Sequence, residues 1–90
     1  MPPVSHPFKR GALVILLNYK DHRPAHVHVK YQGDFGSYRI EIRTRRWLPS
    51  GRELPQNLRI LVEAWVAAHE VELLEQWDNA RLGQPVKIVG

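Results

Sequence analysis

Between Asp21 and His28 the chain reads Asp-His-Arg-Pro-Ala-His-Val-His, gathering three of its five histidines, a carboxylate and a proline. Imidazole exchanges protons near neutral pH, so Asp21, His22, His26 and His28 are candidate catalytic residues for general acid-base work on a phosphodiester. Arg39, Arg43, Arg45 and Arg46 follow within one short stretch. Guanidinium groups make bidentate phosphate contacts and stabilise the charge of a phosphorane, which makes these four candidate nucleic-acid-binding residues. The same histidines support two other readings. Neutral imidazoles bind zinc, nickel or copper, so His22, His26 and His28 form a candidate divalent-metal set. A strand His-x-His pair without a distant fourth ligand is a weak signal, however, and no metal or other cofactor is assigned. The third reading is a polar recognition surface that performs no chemistry.

Positioning these groups requires strands. From His26 to Tyr31 the residues alternate with a period of two, which puts His26, His28 and Lys30 on one face and Val27, Val29 and Tyr31 on the other. Pro24 fixes its own backbone and biases Arg23 towards an extended conformation, as suits a short lead into a strand. Before it, Ala12-Leu13-Val14-Ile15-Leu16-Leu17 is apolar on both faces and predicts a buried strand. After it, residues 32–37 carry the glycines and aspartate of a hairpin connection, and Tyr38 to Arg43 alternates again. A four-residue loop would set His28 across from Glu41 and His26 across from Arg43, with the histidines and arginines exposed on one shared surface. Thr44 to Arg52 reads as a basic, turn-rich connection in which Trp47 covers the rim of the core.

From Pro55 the period changes. Leu58, Leu61, Val62, Trp65, Val66, His69, Leu73, Leu74, Trp77 and Ala80 fall on one helical stripe, with a proline at its start and Gly83 and Pro85 at its end. The stripe is one helix or two with a break near Ala68 and His69, and His69 is a buried or half-buried structural histidine. Glu63, Glu70, Glu72 and Glu75 make a solvated acidic face. The elements compose an α+β fold, with a small, mainly antiparallel three-stranded sheet packed on one face by a long or broken C-terminal helical segment. Residues 1–90 form a single domain, with an extended arm over 1–10, the sheet over 11–46, the helical segment over 55–82 and a tail over 83–90 that adds a short edge strand or stays free.

Composition narrows the function classes. The absence of cysteine excludes disulfides, zinc-thiolate clusters and a thiol nucleophile. The run from Ala12 to Leu17 is far too short to cross a bilayer and no secretory leader is evident, so a cytoplasmic protein with no membrane partner is expected. The net charge of +4 is unevenly spread: residues 1–54 hold ten lysines and arginines against four acidic residues, while residues 55–90 hold three against five. An electropositive first half attracts nucleic acid or an acidic protein surface.

Several features together resemble a known family. The opening Met-Pro, the Asp21-His22-x-Pro24-x-His26-x-His28 stretch, Leu54-Pro55, and Trp65, His69, Leu73-Leu74 and Trp77 followed by Gly83-x-Pro85 resemble the bacterial domain-of-unknown-function family numbered forty-one-sixty. The likeness spans nearly the whole chain. Two positions depart from the family's stretch, Ala25 where it has a second proline and Val27 where it has phenylalanine. Members of that family are often encoded next to a small protein of a second unknown-function family, numbered twenty-four-forty-two, in pairs that look like type II toxin-antitoxin modules. The resemblance therefore implies a toxin-like component of a bacterial type II toxin-antitoxin pair, with RNA as a candidate target and a ribonuclease as the candidate activity. It also implies a small acidic antitoxin-like partner. The non-enzymatic alternative is an adaptor whose basic sheet face docks nucleic acid or protein. Because the Ala12–Leu17 strand has two apolar faces and the helical stripe covers one, a homodimer or a complex with that partner is expected on the other.

Overall fold

A computed structural model describes residues 3–5, 13–18, 22–31, 34–49 and 53–89, with the backbone alone for residues 34–37. Four strands, β1 (Val14–Leu16), β2 (His26–Tyr31), β3 (Asp34–Glu41) and β4 (Trp47–Leu48), pair antiparallel in the order β1-β2-β3-β4. Two helices follow, α1 (Gln56–Ala68) and α2 (Glu70–Arg81). The architecture is α+β, as expected, but the sheet has four strands and not three.

The additional strand comes from a turn with no glycine in it. Glu41 N donates to Arg46 O and Arg45 N donates to Glu41 O, each at 2.9 Å, which closes a reversal around residues 42–44. Arg45 takes the left-handed backbone conformation, φ 58°, that glycine or asparagine usually supplies. Its guanidinium then secures the turn, donating to the Arg43 carbonyl at 2.6 Å and to Glu70 on α2. Beyond the turn, Trp47 and Leu48 return alongside Ile40 and Arg39.

Register defines two faces. Ile15 pairs with Val29 and Val29 with Tyr38, while Val27 pairs with Ile40 and Ile40 with Trp47, so these side chains share one apolar face. Leu13, Ile15, Leu17, Val27, Val29 and Ile40 are all completely buried and belong to a core cluster that also takes Leu58, Val62 and Val66 of α1 and Leu73, Trp77 and Ala80 of α2. At about 1.5–3 kcal/mol per buried aliphatic side chain, this cluster is the main stabilising element of the chain. The opposite face carries His26, His28 and Lys30 beside Val14 and Leu16 on β1 and Arg39 and Glu41 on β3.

The helical segment is broken at His69, whose φ of −118° and ψ of 24° leave the helical region. Its backbone stays satisfied: His69 N reaches Trp65 O and Val66 O, and Leu73 N donates to His69 O at 2.8 Å. The His69 ring is half-buried against Trp65, with centroids 4.8 Å apart. The segment at residues 3–5 joins the outer side of β1, and Val89 joins that segment. Val4 N donates to Ile15 O at 2.9 Å, Val89 N donates to Val4 O at 2.8 Å, and both valines are buried. The tail is further held by the Gln76 carboxamide, whose oxygen accepts from Lys87 N. Among the described residues, no helix is long and apolar enough to cross a membrane.

Candidate functional site

β2 is an inner strand with neighbours on both sides, and this governs its histidines. The rings of His26 and His28 lie side by side with centroids 5.1 Å apart and planes inclined at 58°. The sequence pattern puts them on a shared exposed surface, but His26 is only 5% exposed and His28 8%. The correction follows from position: Val14 and Leu16 flank the pair on one side and Arg39 and Glu41 on the other, so the centre of this face is closed.

Each ring has a defined partner. The Nδ1–H of His26 donates to the Pro24 carbonyl at 2.7 Å, and because a carbonyl only accepts, the proton on that nitrogen is fixed. Asn18 Nδ2 donates to Nε2 of His28 at 3.3 Å, a bond that requires Nε2 to be unprotonated. The histidines are therefore set as hydrogen-bonded buried groups, their tautomers imposed by neighbours. His22 is exposed, whereas Asp21 lies outside the described residues. Among the described residues no three histidine or acidic side chains converge as a metal site.

The pairing with β3 is displaced by two residues from the expected one: His26 faces Glu41 and His28 faces Arg39. The cause is the short connection, since β2 ends at Tyr31 and β3 starts at Asp34, with a register irregularity between Val29 and Tyr31. A displacement of two preserves the faces. The four arginines are correspondingly not equivalent. Arg39 is half-buried and donates to Pro49 O at 2.8 Å, and Arg45 is committed to Glu70 and the turn. Arg43 and Arg46 are exposed. Trp47 is fixed at the core rim, its indole N–H donating to Glu63 at 2.6 Å, which draws one carboxylate of the expected acidic face into the structure.

Sequence reasoning missed a cleft at the open end of the β2–β3 pair. Ile42 N donates to Ala25 O at 2.9 Å, extending the ladder so that the segment before β2 lies beside the turn after β3. Against α2 this creates a concavity of about 270 Å³. Its charged walls are Arg23, Glu41, Arg43 and Asp78, and its apolar lining is Pro24, Ala25, Leu74 and Trp77. Arg23–Pro24 is a cis peptide. The only signal in the sequence was the arginine next to a proline at the start of a strand. That α2 would complete the wall depends on helix placement, which periodicity does not specify.

Residues 11–78 match the family described as Domain of unknown function (DUF4160). No curated protein and no solved structure matches the chain.

Proposed function

The chain belongs to the DUF4160 family, and from that premise we propose that it is the toxin-like component of a bacterial type II pair, acting in the cytoplasm by engaging RNA. The observation that carries this reading is the clustering of exposed basic groups at one end of the sheet. The Ile42–Ala25 hydrogen bond brings Arg23, next in sequence to His22, alongside the turn that carries Arg43 and precedes Arg46, and Arg23 and Arg43 line one cleft. These groups are exposed where His26 and His28 are buried, and exposed basic groups are able to meet a phosphate backbone. Arg39 and Arg45, held by Pro49 O and Glu70, act behind them by shaping the segment that carries Arg43 and Arg46.

In the enzymatic form of the reading, exposed His22 serves as acid or base and the basic groups neutralise the developing phosphorane charge. His26 and His28 then support the strand beneath. Their burial favours a second reading, the non-enzymatic adaptor, in which the same basic end binds RNA without cutting it. Under both readings a small acidic antitoxin-like protein, or a second copy of this chain, docks beside half-buried Val14 and Leu16 on the histidine face.

The test uses the purified chain and single-stranded RNA at low salt. Arg43→Glu combined with Arg46→Glu should weaken binding by about tenfold or more and flatten its salt dependence, since two phosphate contacts are lost. RNA fragments that disappear in His22→Gln support the enzyme, and intact RNA with retained binding supports the adaptor. No RNA binding at high micromolar protein would overturn both.

A further inference from the structure

The cleft between the sheet end and α2 has a composition that an RNA site does not require. Two guanidiniums and two carboxylates line it, carried by three separate parts of the chain: Arg23 before β2, Glu41 and Arg43 at the end of β3, and Asp78 on α2. Arg23, Arg43 and Asp78 are exposed and Glu41 is half-buried. Among the described residues, no ion pair or hydrogen bond joins these four side chains to one another. Charges of both signs therefore line one concavity and are available to an occupant.

That combination restricts the occupant. A phosphate dianion would meet Glu41 and Asp78, and a simple cation would meet Arg23 and Arg43. A purely apolar molecule would strip water from four charges and replace none of their hydrogen bonds, which is costly. An occupant carrying one ammonium and one carboxylate satisfies both halves, because a guanidinium takes a carboxylate in a two-pronged contact and a carboxylate accepts from an ammonium. Size narrows the class further. The volume of about 270 Å³ falls just below the roughly 300–1,000 Å³ usual for pockets that enclose drug-sized molecules. The lining of Pro24, Ala25, Leu74 and Trp77 suits a short hydrocarbon body.

We propose that this cleft is a binding site for a free α-amino acid, with Arg23 and Arg43 on its carboxylate, Glu41 and Asp78 on its ammonium, and an aliphatic side chain against Leu74 and Trp77. The site lies beside the basic end assigned to RNA and shares Arg23 and Arg43 with it, yet it is defined by the two carboxylates, which RNA would avoid. It thus goes beyond the RNA reading and stands or falls separately.

The experiment is a titration of the full ¹⁵N-labelled chain, followed by NMR, with L-leucine and its two half-molecules. These are 4-methylpentanoate, which lacks the ammonium, and 3-methylbutylamine, which lacks the carboxylate. Leucine should produce saturable shifts at Ala25, Glu41, Arg43 and the Trp77 indole, and each half-molecule should bind about tenfold more weakly or worse. Arg43→Gln and Asp78→Asn, both at exposed positions, should each weaken leucine by a similar factor with the spectrum otherwise retained. Arg46→Glu should leave the leucine titration unchanged and Asp78→Asn should not weaken RNA binding, so either function can fail without the other. Leucine binding no tighter than its half-molecules, or unaltered in Asp78→Asn, overturns the proposal, as does the absence of saturable shifts at millimolar leucine.

Discussion

The two faces of the sheet are built on opposite principles. On one, Ile15, Val27, Val29 and Ile40 are sealed with no exposed surface, held by apolar burial that has no directional requirement. On the other, His26 and His28 are nearly as buried, but each ring depends on particular bonds, to the Pro24 carbonyl and to Asn18. The apolar face needs volume and hydrophobicity and tolerates swaps that keep them. The histidine face needs particular donors and acceptors, because a buried polar atom that loses its partner retains the desolvation cost. A strand buried on both faces from His26 to Val29 uses one side for stability and the other for specified polar geometry.

Substitutions on each side can break this contrast. The largest effect is expected for Ile40→Ala, which removes a wholly buried side chain between Val27 and Trp47. It should cost about 2–5 kcal/mol in urea unfolding, a large part of the stability of a 90-residue chain. A cost below about 1 kcal/mol would mean that the apolar face is not the principal core.

A smaller effect is expected for His28→Leu. The change keeps an apolar body but removes the acceptor for Asn18, so a loss of about 1–3 kcal/mol should appear in the same assay. His28→Gln, which restores an acceptor, should recover part of it. If His28→Leu instead raised stability, the supporting role given to His26 and His28 beneath the basic end would fail.

The smallest effect tests the rim where the two faces meet the helices. Trp47→Phe keeps one aromatic ring, deletes the bond to Glu63 together with part of the indole, and should cost about 1 kcal/mol or slightly more, because the pair is only partly buried. Glu70→Gln should cost at most about 1 kcal/mol, since Arg45 and Glu70 are each about a third exposed, at 35% and 38%. A larger loss would identify the Arg45 turn as a main determinant of β4.

Local pattern accounts for the parts of the molecule that depend on neighbours in sequence. The period of two after His26 assigns Val27 and Val29 to one face and the two histidines to the other, and the stripe from Leu58 to Ala80 marks the helical segment while leaving one helix or two open. Alternation is a property of the single strand, so it holds whatever strand lies beside it. What lies beside it is a tertiary matter. Burial of His26 and His28 follows from β2 having β1 and β3 as neighbours, and the fourth strand follows from Arg45 taking a left-handed conformation that its residue type does not signal. The cleft is further still from local pattern, because Arg23, Glu41, Arg43 and Asp78 come from segments up to 55 positions apart. They meet only through the Ile42–Ala25 rung and the position of α2. Hydrophobic periodicity states which side of an element faces inward, and it carries no information about which charged groups will stand together once the elements are placed.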